Sequence, residues 1–188
     1  MSKTETEPGA PAAPDFAQCE ALWKEYRTPE HVIRHCLAVS DTAAAVALYL
    51  NAHGETFDIP LLRAAGWLHD LCRTEEEHWE KAADVAAELG YPALSDIIRI
   101  HMQYRLDSKK ETLTEVDLLC FADRTVKEDR YVGPDLRMEY ILNKARAGAA
   151  DVPAAETRIR ASFKEVRALK KRIEAQIGIT LEEVFCSE

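Results

Sequence analysis

Between Thr28 and Asn51 the apolar residues Val32, Cys36, Val39, Ala43, Val46, Ala47 and Leu50 recur at three-to-four spacing, with polar positions between them. That is the period of a helix with one buried face. Thr28-Pro29-Glu30 supplies a hydroxyl cap, a proline for the first helical position and an acid at the positive end of the dipole, and the Gly54 loop closes the helix. The next run differs. From Leu61 to Leu68 it is apolar nearly all round, which predicts a core helix opened by Asp58 and Pro60 and ending abruptly on His69-Asp70.

The remaining elements follow from the same periodicity. Phe16, Leu22, Trp23 and Tyr26 mark a short amphipathic helix from Asp15, stopping before Thr28-Pro29. Glu75 to Leu89 reads as a helix ended by Gly90, and Pro92 to about Tyr104 as another, with His78 near the start of the first and His101 near the end of the second. After the charged loop Asp107 to Thr112, the run from Thr114 carries Asp123 mid-helix and is predicted to continue through Lys127; Gly133-Pro134 then breaks the chain. Asp135 to Ala147 is a further helix. Pro153 to Gln176 is long and highly charged, with a narrow stripe of Ile159, Phe163, Val166, Leu169 and Ile173 that predicts peripheral packing and permits a helix-to-helix homodimer. Leu181, Val184 and Phe185 predict a last short turn folded back on the body. No internal repeat and no convincing strand alternation occur, so the fold class is all-α: a single-domain bundle of about eight helices over 15–188, with a core at 29–130 and C-terminal helices at 135–188.

Composition narrows the function. A chain of 188 residues, 47% hydrophobic, is long enough for one well-buried core and short for two. Met1 to Pro14, rich in Pro, Ala, Glu and Thr, lack the large apolar residues that would offset their ordering entropy and read as a disordered tail. A formal charge of −9 argues against a surface that tracks a nucleic-acid polymer. Cys19, Cys36, Cys72, Cys120 and Cys186 form no C-x-x-C pair and several fall in apolar pattern, as reduced packing residues of a cytoplasmic protein do. No apolar run approaches the ~18 residues of a membrane span, and the N-terminus lacks a secretory pattern, so neither membrane nor export is expected.

The candidate chemistry sits on the helices. His69 and Asp70, adjacent and about 100° apart around a helix, can grip one ion only if other elements complete its shell. His35 upstream and Asp123 downstream are suitable partners. An uncompensated carboxylate in apolar pattern is costly, so Asp70 and Asp123 demand a cation or strong donors. Mixed imidazole and carboxylate ligands suit Mn, Fe, Ni, Co or Zn better than Mg.

This order of a helix-borne His35, a His69-Asp70 doublet and a distant Asp123 resembles the HD-domain superfamily of metal-dependent phosphohydrolases, over roughly Pro29 to Arg130. The resemblance implies a divalent metal held by His35, His69, Asp70 and Asp123, and a metal-activated water that cleaves a small phosphate ester, with a nucleotide the first candidate. His69 and Asp70 are then the catalytic pair, Asp70 acting as ligand and as the group that orients the attacking water. In similar proteins, extra histidines between the doublet and the last Asp bind a second ion or contact the phosphate; His78 and His101 occupy that interval, and the sequence leaves one ion or two open. Arg34 and Lys127 are the candidate phosphate-binding cations, weighed against ordinary surface ion pairs. His31, one turn below His35, is placed equally well for the cavity or for solvent, and His53 reads as a bystander. Cys36 and Cys72 adjoin site residues but read as packing, not nucleophiles.

Two departures limit transfer from better-defined subgroups. Leu71-Cys72-Arg73 follows the doublet where many HD hydrolases carry an apolar residue, glycine and lysine, which weakens a cyclic-dinucleotide phosphodiesterase reading. Glu75-Glu76-Glu77 is only a faint echo of the acidic doublet of the (p)ppGpp hydrolases. The rival classes are a nucleotide-sensing module that keeps its metal without turnover, and an HD-type di-iron oxygenase. The oxygenase needs more His and Asp ligands, and between His35 and His69 only His53 and Asp58 are offered.

Overall fold

The computed structural model describes residues 13–185. The expected tail therefore lies outside the described residues except for Ala13 and Pro14, which are buried, so the packed body begins two residues earlier than the composition suggested. Cys186 also lies outside them. Among the described residues are nine helices and one two-stranded hairpin.

Helix α1 (Phe16–Glu25) starts on a reciprocal cap: Gln18 N donates to Asp15 Oδ1 at 2.8 Å, and Asp15 N donates to Gln18 Oε1 at 2.9 Å. Its Trp23 is buried and donates through Nε1 to the Trp67 carbonyl at 3.0 Å, bracing the next-but-one helix. Helix α2 (Glu30–Ala52) buries the stripe the pattern marked, Val32 through Leu50. The expected hydroxyl cap is not there. Pro29 is the capping residue, and Thr28 is buried with its hydroxyl donating to the Leu71 carbonyl at 2.7 Å, so it holds the segment after His69-Asp70 rather than the helix start. By length and composition α2 could cross a membrane, with a mean hydropathy of 1.2 over 18 residues, which corrects the expectation that no run comes near. It packs instead against α3, α6 and α8 as the centre of the fold.

Helix α3 (Ile59–Leu68) is capped by Asp58, whose carboxylate accepts from Leu61 N at 2.9 Å. Its register against α2 is set by Gly66: a Cβ there would come within 2.4 Å of Ser40 Cα. Only a hydrogen fits in that gap, so the two backbones run in contact. Close approach of α3 to α2 is what carries His69, at the end of one helix, up to His35 in the second turn of the other.

Helices α4 (His78–Glu88) and α5 (Pro92–Ile100) form an antiparallel pair joined by Gly90-Tyr91-Pro92, with Gly90 at φ +86° and Tyr91 buried. The first begins at His78 rather than Glu75, because residues 71–77 are turns and Glu77 takes φ +50°. Helix α6 (Glu115–Asp123) ends at Asp123, not beyond Lys127. There the Thr125 hydroxyl donates to the Phe121 and Ala122 carbonyls at 2.9 and 3.1 Å. The chain then turns back as a hairpin of β1 (Val126–Lys127) and β2 (Arg130–Tyr131), with Glu128 at φ +57°. The run from Thr125 to Tyr131, of which the part through Lys127 was expected to be helix, is too short and too polar at its turn to show strand alternation.

Helix α7 (Gly133–Gly148) lies along α8 (Val152–Ile177), and α9 (Leu181–Phe185) folds back as expected. Contrary to peripheral packing, α8 buries Phe163, Val166, Leu169 and Ile173 in the main core. Its apolar stripe is therefore covered by the chain's own helices, and its charged faces point outward.

Candidate metal centre and its cleft

Five of the six chemistry-bearing side chains project from helix ends. His69 and His101 are the C-terminal caps of α3 and α5, Asp70 follows His69, His78 opens α4, and Asp123 is the last residue of α6. His35 alone sits inside a helix, in the second turn of α2.

The two capping histidines repeat one device. A helix leaves its last carbonyls without intrahelical donors. His69 Nδ1 lies 2.8 Å from the Gly66 carbonyl and His101 Nδ1 2.6 Å from the Ile98 carbonyl, so each Nδ1 carries the proton and donates it. Each ring then turns a bare Nε2 lone pair inward. Both Nε2 atoms are buried with no hydrogen-bond partner. Burial, and then the neighbouring His69, pushes the His101 pKa down to about 4, so this ring is neutral at physiological pH. Two oriented imidazoles with unpartnered inward nitrogens suit a divalent metal, and the Nδ1–H to carbonyl bond is the usual outer support of such a ligand.

The carboxylates complete the fit. Ligand atoms of His35, His69 and Asp70 lie within 4.8 Å of one another, and so do those of Asp70, His78 and His101. Asp70 belongs to both groups. Asp123 Oδ1 is 3.1 Å from His35 Nε2, which brings it to the first group. Burial works to raise the Asp70 pKa, but His69, a hydrogen bond from His78 at 3.0 Å and Arg73 outweigh it and hold the carboxyl well below the ordinary range. Asp123 behaves alike: burial is outweighed by His35, His69 and Arg137. Both are anionic at neutral pH.

This centre floors a cleft of about 630 Å³. His35, Asp70 and Asp123 reach it from the interior side, while Arg34, Arg73, Arg137 and Lys144 bring four cations to its wall. Glu128 and Asp129, on the hairpin turn, also face it.

All six residues expected at the centre, His35, His69, Asp70, His78, His101 and Asp123, thus converge. His31 and Arg34 line the cleft, Arg34 half exposed and paired with Glu30 at 2.9 Å. Lys127 does not stand on the Asp123 side of a helix; it lies on β1, its Nζ 5.0 Å from the Tyr140 ring. His53 caps α2, at 2.8 Å from the Tyr49 carbonyl, and Gly90-Tyr91-Pro92 lies away from the cleft. Cys36 is buried, and burial together with Asp70 pushes its thiol well up, so it packs as expected.

Sequence reasoning missed Arg73 and the α7 residues Arg137, Tyr140 and Lys144. Arg73 follows Asp70 by three and lies 3.4 Å from its carboxylate and 3.0 Å from His78 Nε2. That spacing was the available signal. Arg137, 3.5 Å from Asp123, reaches the site only through the tertiary fold.

An all-α protein whose buried imidazole and carboxylate groups are set out for divalent metal is the class that fold and site define. The HD domain model matches residues 32–127, just over half of the chain, and the protein belongs to the HD-domain family. Members of that family are generally metal-dependent phosphohydrolases. A stretch of 65 residues, 33% of the chain, is 40% identical to an uncharacterised protein of Methanocaldococcus jannaschii, and the match covers 38% of that relative. No solved structure matches the chain.

Proposed function

We propose that the protein hydrolyses a small phosphate ester, such as a nucleotide, in the cytoplasm, with two divalent transition-metal ions held in the cleft. The observation that carries this reading is the sharing of Asp70 between two ligand groups, with orphaned Nε2 atoms of His69 in one and His101 in the other. His35, His69, Asp70 and Asp123 would hold the first ion; Asp70, His78 and His101 would hold the second.

When bound, such ions polarise phosphoryl oxygens and make water a competent nucleophile near neutral pH. The chain's own residues do the rest. Asp70, anionic and buried, orients water at the cleft floor. Arg73 and Arg34 neutralise the non-bridging oxygens, Arg73 from 3.4 Å beyond the Asp70 carboxylate. Val32, Met102 and Ile141 line the wall and keep bulk solvent off the reacting group. The donor set of four histidines with two carboxylates favours Mn, Fe, Co, Ni or Zn over Mg.

The test is a panel of phosphomonoesters and phosphodiesters assayed with added Mn in wild type and in Asp70→Ala. Hydrolysis by wild type and at least a ~10³-fold loss in the variant are expected. Bound metal without turnover of any ester would replace the hydrolase with the sensing module.

A further inference from the structure

Helix α7 lies outside the region matched by the HD domain model, yet it forms one wall of the cleft. Arg137, Tyr140, Ile141 and Lys144 recur at three, one and three residues, which places them on a single helical face. At the centre of that face is the Tyr140 ring. Lys144 Nζ lies 4.8 Å from its centroid, Lys127 Nζ 5.0 Å and Arg137 Cζ 5.6 Å.

One aromatic face attracts a cation, but three cations around one ring repel each other, and the ring quadrupole does not neutralise them. Their counter-charges are few. Lys127 has Glu128 at a loose 3.8 Å, and Arg137 has Asp123 at 3.5 Å. Lys144 has no acid three or four residues away on its own helix, where Tyr140, Ile141, Ala147 and Gly148 stand, and no ion pair among the described residues. If Asp123 ligates metal, Arg137 also loses its counter-ion. Arg137 Nε is already buried without a hydrogen-bond partner. The cluster is left cationic, in a protein of net charge −9, beside the mouth of an anion-processing site.

We propose that Arg137, Lys144 and Lys127, gathered on Tyr140, form a second anion subsite, and that the substrate carries a second phosphoryl group bound there while the first is hydrolysed at the metal centre. The subsite rests on the hydrolase reading for its role, but not for its existence. Arg137 spans the two regions, with its guanidinium against Asp123 on one side and Tyr140 on the other, so the two phosphoryl groups are held close together. Glu128 and Asp129, on the hairpin turn beside Lys127, also line the cleft and disfavour a longer polyanion.

The experiment compares kcat/KM for a nucleoside monophosphate, the matching diphosphate and the matching 3′,5′-bisphosphate, in wild type, Lys144→Ala and Arg146→Ala. It is paired with titration of each purified protein with inorganic pyrophosphate and inorganic phosphate. One of the doubly phosphorylated substrates should exceed the monophosphate by about tenfold, through KM, and the two substrate geometries tell a diphosphate from a bisphosphate. That preference, and pyrophosphate affinity, should each fall about fivefold in Lys144→Ala and hold in Arg146→Ala, whose side chain pairs with Glu156 on the outer face. Equal kcat/KM for all three substrates, or a preference and pyrophosphate affinity that survive Lys144→Ala, overturns the subsite. If no ester is hydrolysed while pyrophosphate binding still depends on Lys144, the hydrolase reading fails and the subsite stands.

Discussion

At the scale of single residues, the site depends on side chains whose second atom is fixed by the backbone. Removing the His101 ring deletes one Nε2 electron-pair donor and leaves the Ile98 carbonyl only the weaker 3.4 Å bond from the His101 backbone N–H. His101→Ala is expected to take one ion's worth of metal from the protein and to leave the His35 group loaded, read by elemental analysis. Loss of both ions would show that the two groups are not separable. A second buried charge outside the cleft makes a different prediction. Asp117 is fully buried; burial would raise its pKa, but hydrogen bonds from Lys110, Tyr104 and Thr114, at 2.8, 2.7 and 2.8 Å, lower it. Its folded pKa lies below its unfolded value near 3.9, so its contribution is complete above about pH 4 and is lost as pH falls through the folded value. Asp117→Ala should cost about 2 kcal/mol in denaturant unfolding at pH 7, discounted because Lys110 is partly exposed and regains water, and less at pH 3. An equal cost at both pH values would contradict the assignment. The candidate ligand residues were legible in the sequence because their types and order are distinctive, and the fold brings them together. It did not disclose Arg137 or Lys144, since an arginine or lysine on an exposed-looking helix carries no local mark of the cleft it faces.

At the scale of elements, the decisive contact is between α2 and α3. Gly66→Ala gains up to about 1 kcal/mol in helix propensity, but its Cβ meets the Ser40 backbone, which cannot step aside as a side-chain tip can. The net expectation is a loss of about 1–3 kcal/mol, with weaker metal binding because His69 moves away from His35. Asp58→Ala is the contrast: it removes the α3 cap, costs about 1 kcal/mol and leaves metal binding unchanged. Both are read by thermal unfolding with and without Mn. Were Gly66→Ala as stable as wild type, the close packing would not set the site. Helix existence was legible throughout, because α2, α3 and α8 have strong periodicity. Their ends were less so. Thr28 hydrogen-bonds Leu71 across 43 residues, and α6 stops at Asp123 because Thr125 folds back on it, and neither choice is visible in local propensity.

For the whole molecule, the acidic surface and the four cations of the cleft divide the work between exclusion and capture. A net charge of −9 repels polyanions at long range, whereas Arg34, Arg73, Arg137 and Lys144 act within the cleft. The fold serves this by bringing α2, α3, α5 and α6 to one floor and adding α7 as a wall from beyond the matched domain. In the proposed site Asp70 joins two metal positions. The measurement that tests it most directly is metal stoichiometry by elemental analysis after Mn loading and desalting, in wild type and Asp70→Ala, with folding of both verified by circular dichroism. Two ions per chain are expected in wild type, and a folded variant that retains neither. A folded wild-type protein that retains no metal, or an Asp70→Ala variant that keeps its full complement, would contradict it.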